Sequence, residues 1–314
     1  MLAETAFLVL GLVLLFAGGE GLVRGAVSLA ARLGMPPLII GLTVVGFGTS
    51  MPELVVSVKA AFQSSPDIAV GNVVGSNTAN ILLILGAAAL ISPIPTAIPG
   101  IRRDLAVMLA AALVMLALGL LGHVGRGTGL VMAATLALYV GYAAWSARTD
   151  HTGEDAAHAA VLPLWKELAA LLAGLVALVA GADFLVGSAS AIARSLGISE
   201  AVIGLTVVAV GTSLPELATS VVAAFRRHSE IAIGNVVGSN VFNVLGILGV
   251  AAALHPLHIA PQMARFDIPL MLAVSLGLVG LLLALGRLSR PVGAGFLASY
   301  GAYCAWLFAT TPGI

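Results

Sequence analysis

Two glutamates, Glu53 and Glu216, each sit inside a long apolar stretch and in nearly the same phrase, GTSMPEL at Gly48–Leu54 and GTSLPEL at Gly211–Leu217. Insertion scales put an acid at the centre of a membrane helix at roughly +2.5 to +3.5 kcal/mol, so such residues usually line an ion path. The bland alternative is a structural pair with a buried cation. Apart from Arg24 in the first apolar stretch, however, no Lys or Arg lies within the interior of one; the others sit near the ends. The neighbours of each glutamate point the same way. Gly46, Thr49, Ser50 and Glu53 share one helical face, and Ala209, Thr212, Ser213 and Glu216 repeat it. Pro52 and Pro215 have no N–H, so the carbonyls of Gly48 and Gly211 lose their helical partners and a break is predicted there. At membrane depth, freed carbonyls are tolerated only beside protein, water or an ion. Carboxylate, hydroxyl and carbonyl oxygens converge on such a break, a donor set for Ca2+ or Na+ rather than zinc or copper.

A second phrase recurs in both halves, GNVVGSN at Gly71–Asn77 and at Gly234–Asn240. Gly71 with Gly75, and Gly234 with Gly238, are small-xxx-small pairs that let helices approach closely. Asn72, Ser76 and Asn80 stand four apart on one face, and Asn235, Ser239 and Asn243 copy them. Ser76, Asn80, Ser239 and Asn243 read as ion ligands, because both copies set these oxygens beside a glutamate-bearing helix. Asn72 and Asn235 fit equally well as ligands or as polar glue between helices. Asn77 and Asn240 point elsewhere on the helix and read as caps of a helix break. Glu20 and Asp183 also correspond; Glu20 has Arg24 four residues on, and both read as structural or water-facing.

These residues need helices buried in lipid to position them. Of 314 residues, 60% are hydrophobic and 9% charged, against roughly 25% charged in a soluble domain. A soluble enzyme is excluded, and a formal net charge of zero leaves no footprint for nucleic acid. Ten spans of about 20 apolar residues are predicted: 4–31, 37–62, 67–91, 103–121 and 128–146, then 164–195, 200–225, 230–254, 266–286 and 292–310. Both recurrent phrases share one offset of 163 residues, Glu53 to Glu216. The chain therefore divides into a first five-helix repeat (1–146), a cytoplasmic linker (147–163) and a second repeat (164–314). An odd number of spans per repeat makes the second copy enter the membrane from the opposite side. Nine Lys/Arg fall near cytoplasmic span ends against four outside when both termini are placed outside. The N-terminal apolar run reads as a mature first span rather than a cleaved signal. The expected fold is thus an all-α integral membrane protein, ten helices in two inverted-topology repeats with broken helices at the midplane. His255 and His258, with no acid or thiol beside them, read as a surface loop rather than a metal site.

The doubled GTSxPE and GNVVGSN segments resemble the alpha-repeats of the sodium/calcium exchanger family, within the cation/Ca2+ antiporter superfamily, in a prokaryotic-type form without a regulatory cytosolic domain. The resemblance implies an antiporter that exchanges Na+ for Ca2+ by alternating access in the plasma (inner) membrane, with no enzyme activity and no cofactor beyond the transported ions. It implies that Glu53 and Glu216 serve both ions, and that Thr49 and Thr212 give carbonyls to Ca2+. Ser50, Ser213, Ser76 and Ser239, with the carbonyls of Gly46 and Ala209, would bind sodium, and Asn80 and Asn243 match the remaining sodium positions. The chain departs from some prokaryotic members, which carry an acid at one of those two asparagines, and so has two site carboxylates rather than three. A proton/calcium antiporter is the near alternative, although the GTSxPE form differs from the GNAxE-like element of those exchangers. A cation channel is more remote, because a channel rings its pore with equivalent groups whereas this site occurs once between two inverted halves.

Overall fold

A computed structural model describes residues 2–63, 65–95, 97–149, 163–195 and 209–310, and nearly all of them are helical. The helices of the first half are α1 (Leu2–Leu33), α2 (Pro37–Thr49), α3 (Met51–Phe62), α4 (Pro66–Ile91), α5 (Ile101–Leu121) and α6 (Arg126–Thr149). Those of the second are α7 (Leu164–Ser195), α8 (Leu214–Phe225), α9 (Ser229–Leu254), α10 (Met263–Leu285) and α11 (Arg290–Thr310). Among the described residues seven helices are long and apolar enough to cross a membrane, and α2 with α3 adds an eighth as one span bent by 44° at Ser50. Helices α8 and α11 occupy the remaining two predicted positions. Residues 200–208 of the predicted seventh span, and most of the 147–163 linker, lie outside the described residues.

Burial sorts the helices into a centre and a periphery. In α4 and α9, 72% and 89% of the apolar stretch is buried, against 28% in α6, α7 and α10. The two helices that carry the GNVVGSN phrases therefore form the middle of the bundle. The outer ones turn side chains such as Val13, Phe16, Leu138 and Val176 outward, which only an apolar solvent accommodates.

Glycines show how the halves are related. A Cβ on Gly11 would lie 2.8 Å from the Gly181 carbonyl oxygen, and one on Gly18 the same distance from that of Gly174. As numbers rise along α1 they fall along α7, so the two helices pack antiparallel. Gly11 and Gly18 correspond to Gly174 and Gly181 under the 163-residue offset, and each contact is the twofold image of the other. Equivalent helices running in opposite directions are the signature of an inverted repeat. The same symmetry appears in the loops. Strand β1 (Ile94–Pro95) pairs antiparallel with β4 (Arg287–Leu288), and β2 (His123–Val124) with β3 (Leu257–His258). Each clip joins one repeat to the other.

Charges near span ends are handled by pairing. Glu167 of α7 is buried and accepts from Arg32 Nε of α1 at 2.8 Å; Asp104 is buried and accepts from Arg103 Nε at 2.8 Å and the Tyr139 hydroxyl at 3.0 Å. Glu20 does pair with Arg24, and it also receives Arg226, at the end of α8, at 2.6 Å. Asp183 is exposed.

Candidate functional site

Helices α2 and α3 are one apolar run interrupted by sequence. Ser50 leaves helical geometry (φ −83°, ψ 5°) and Ser213 does the same (φ −87°, ψ 6°). Pro52 and Pro215 then fall in the first turn of α3 and α8, where a missing N–H removes no helical bond. The predicted break is present in both copies, at the serine. It makes Glu53 and Glu216 first-turn residues, and the positive end of a helix dipole favours a carboxylate there.

Both glutamates are buried. Ser50 Oγ donates to Glu216 Oε1 at 3.0 Å, and Ser213 Oγ donates to Glu53 Oε1 at 3.2 Å. Each carboxylate is thus held by the serine of the other repeat. The central helices close the ring: Ser239 Oγ lies 3.0 Å from Ser50 Oγ, and Ser76 Oγ lies 3.4 Å from Ser213 Oγ. The Gly46 carbonyl oxygen is 3.4 Å from Ser239 Oγ. Thr49 donates to the Val45 carbonyl at 3.0 Å, and its hydroxyl lies 3.1 Å from Asn235 Oδ1. Thr212 stands at the corresponding position, but its hydroxyl has no hydrogen-bond partner among the described residues, and Ala209 opens the short helical turn before it. An apolar cavity of about 680 Å³ between α2, α6 and α9 reaches this cluster only at Ser50, beside Phe47 and Phe242.

Asn72 and Asn235, which fitted two roles from sequence, act as glue. Asn72 Nδ2 donates to the backbone oxygen of Glu53 at 3.1 Å and to Ser57 Oγ at 2.9 Å. Asn235 Nδ2 donates to that of Glu216 at 3.3 Å and to Ser220 Oγ at 3.0 Å. They fix the height of each glutamate against the central helices.

The expectation that Asn77 and Asn240 cap a helix break is corrected. No break follows them; α4 and α9 continue as wide π-helical turns at Asn80–Leu85 and Phe242–Leu248, so there are no terminal N–H groups to cap. Instead the side chains cross between repeats. Asn240 Oδ1 accepts from Asn80 Nδ2, and Asn77 Oδ1 from Asn243 Nδ2, both at 2.9 Å. Sequence spacing missed this role, although the shared offset was a signal that two copies of the same face meet.

Among the described residues, four buried oxygens of predicted ligands lack a hydrogen-bond partner, Glu53 Oε2, Glu216 Oε2, Asn80 Oδ1 and Asn243 Oδ1, and so do the hydroxyls of Thr212 and Thr219. Asp104 and Glu167 also keep one oxygen each without a donor, but an arginine lies against the other. None of the ion pairs among the described residues reaches Glu53 or Glu216. Two buried carboxylates with no protein cation are strongly destabilising on their own. What fits among these oxygens is a positive charge that prefers hard ligands. Among the described residues no three His, Cys, Asp or Glu are grouped so as to hold a metal ion; a cation here would meet the oxygens of two acids together with hydroxyls, amides and carbonyls.

Comparison with known proteins agrees with this chemistry. The sequence model of one family, described as sodium/calcium exchanger protein, matches residues 3–145 and 166–309. The inner membrane protein YrbG of Escherichia coli is 36% identical over 98% of this chain and 96% of its own length. The sodium/calcium exchanger MaX1 of Methanosarcina acetivorans is 33% identical over 96% of this chain and 97% of its own. A solved structure of the sodium-calcium exchanger NCX_Mj superposes with a TM-score of 0.85 at 31% identity, covering 97% of this chain and 98% of that one.

Proposed function

The chain belongs to the sodium/calcium exchanger family and is a multi-pass membrane transporter of cations, and on that premise we propose that it is an antiporter that exchanges Na+ for Ca2+. The observation that carries this reading is the pair Glu53 and Glu216, buried, without a protein cation among the described residues, and each bonded to the serine of the opposite repeat. Two carboxylates are neutralised by one Ca2+ or by several Na+. Both ions compete for the same oxygens, so binding one expels the other. Reorienting with neither bound would carry two bare charges through a low-dielectric interior, which is strongly unfavourable. Exchange rather than leak follows from that penalty.

In this reading Glu53 and Glu216 serve both ions, and the carbonyls of Thr49 and Thr212 complete the calcium position. Sodium is bound by Ser50, Ser76, Ser213 and Ser239, by Asn80 and Asn243, and by the carbonyls of Gly46 and Ala209. The repeats at 1–146 and 164–314 each supply half of the ligands, joined by a cytoplasmic linker, with both termini outside. Access alternates as α1 and α7 slide against the bundle that holds the site. If more positive charge moves with sodium than with calcium, transport responds to voltage at about 2.3 kcal/mol per charge per 100 mV.

The test is radiocalcium uptake into proteoliposomes of the purified protein. An outward sodium gradient is expected to drive uptake, and a pH gradient without sodium to drive none. Uptake driven by the pH gradient alone would replace the sodium reading with a proton-coupled one. Single-channel currents in a planar bilayer would overturn antiport altogether.

A further inference from the structure

The four amides where α4 meets α9 are more ordered than ion ligation alone requires. Asn77, Asn80, Asn240 and Asn243 are all buried. An amide is nearly symmetric in shape, and turning it over exchanges a donor for an acceptor. A ligand asparagine turned the wrong way presents N–H hydrogens to a cation and repels it. The two orientations must therefore be distinguished by something outside the ion site.

The distinction can be traced to groups that cannot turn over. Asn77 Nδ2 lies 3.2 Å from the backbone oxygen of Asn240, and Asn240 Nδ2 lies 3.5 Å from that of Asn77. A backbone carbonyl only accepts, so each of these amides must direct its NH2 at the opposite helix. Its oxygen then faces the other way, to the side chain of Asn243 or Asn80 at 2.9 Å. That oxygen also only accepts, so Asn243 and Asn80 must present NH2 to it. The last group in each chain, Asn243 Oδ1 or Asn80 Oδ1, is left without a donor among the described residues. Turning over either ligand amide would set two acceptor oxygens face to face at hydrogen-bond distance. The orientation thus follows from hydrogen-bond logic and holds whichever way amide atoms are assigned.

We propose that Asn77 and Asn240 are positioning residues that lock the amide oxygens of Asn243 and Asn80 toward the transported cation, each acting across the pseudo-twofold on the other repeat's ligand. The inference rests on the reading of Asn80 and Asn243 as sodium ligands. It has a distinctive consequence. Asn240 acts through Asn80, not through Asn243 three residues along its own helix, and Asn77 acts through Asn243, not through Asn80.

A double-mutant cycle on full-length protein in detergent tests it, with calorimetric Ca2+ binding and the Na+ concentration that displaces half of the bound Ca2+ as readouts. Asn240→Ala is expected to raise that Na+ concentration about tenfold, the loss of roughly one buried hydrogen bond's worth of orientation. In an Asn80→Ala background it is expected to add nothing further. In an Asn243→Ala background the two effects should multiply. A merely structural role would multiply in both backgrounds, and that result, or an unchanged Na+ requirement in Asn240→Ala, overturns the proposal. The twofold-related variant Asn77→Ala supplies the same cycle with the backgrounds exchanged, should Asn240→Ala fail to fold. Unmutated protein whose bound Ca2+ is not displaced by Na+ would instead sink the exchanger reading, so the two failures are distinguishable.

Discussion

Replacing Glu53 with Gln removes charge while leaving most of the geometry in place. The Gln carbonyl oxygen can still accept from Ser213, which now meets Glu53 Oε1 at 3.2 Å. Asn72 bonds the backbone oxygen at position 53 and is untouched. The expected effect is therefore electrostatic. Two unit charges 4 Å apart at an effective dielectric of 20 interact by about 4 kcal/mol. A divalent ion loses about twice that, and a monovalent ion about 4 kcal/mol. Relief of repulsion between the two carboxylates is common to both cases and cancels in the ratio. Glu53→Gln should thus weaken Ca2+ relative to a single Na+ by about 4 kcal/mol, roughly a thousandfold, while two Na+ together lose as much as the one Ca2+ they replace. The assay is direct calorimetric titration with Ca2+ and, separately, with Na+, with sodium-driven radiocalcium uptake in proteoliposomes alongside. Glu20→Gln is the control, because Glu20 is paired with Arg24 and Arg226 outside the site. Should Glu53→Gln keep its calcium half-saturation within about threefold of the unmutated protein, the two-carboxylate reading fails.

Other outcomes follow from the same geometry. Ser50→Ala and Ser213→Ala each remove a donor to the opposite repeat's glutamate; a hydrogen bond to a charged group contributes about 1.5–3 kcal/mol, and the two variants should weaken cation binding by similar factors of at least about tenfold in calorimetry. Gly18→Ala places a Cβ 2.8 Å from the Gly174 carbonyl oxygen and should lower thermal stability by about 1–3 kcal/mol, whereas Gly277→Ala, with nothing within 4 Å of its Cβ, should not. Calcium at a hundred times its dissociation constant should stabilise the fold by about 2.7 kcal/mol in a thermal melt, and chelation should remove that gain; Glu53→Gln should show almost none of it.

How far the sequence could be read depended on whether the relevant contact lies within one repeat. An acid in an apolar run announces itself, because lipid makes it expensive wherever it points, and so Glu53 and Glu216 were legible without coordinates. That each run breaks just before its proline was legible too; that the bend falls at Ser50 and Ser213, with the proline in the next helix's first turn, was not. Inversion followed from five spans per copy, but the Gly11–Gly181 contact that displays it depends on how α1 and α7 cross. Bonds across the pseudo-twofold were invisible for the same reason. The four-residue stripe through Asn72, Ser76 and Asn80 leaves Asn77 beside it, three residues from Asn80, which looked like a position with nothing to do. Helical spacing cannot show that the other repeat's Asn243 waits there at 2.9 Å. Arg226 was likewise missed as a partner of Glu20, because only Arg24 lay at helical spacing.

The crossing pattern also bears on where motion can occur. Ser50 with Glu216, Ser213 with Glu53, Asn80 with Asn240 and Asn243 with Asn77 all join one repeat to the other. A shear between the repeats at this level would break every one of these bonds and leave both carboxylates uncompensated. The site is therefore the stiff element of the molecule and a poor hinge. Helices α1 and α7 contribute none of these groups. They are packed on each other through paired glycines and tied by Arg32 to Glu167, so they form one body. Their ion pair to the bundle, Glu20 with Arg226, involves side chains that are exposed or partly exposed. In the proposed exchange cycle, sliding α1 and α7 would exchange this pair and repack Gly19 against Ala218 and Val222, while the bonds across the pseudo-twofold stay in place around the cation.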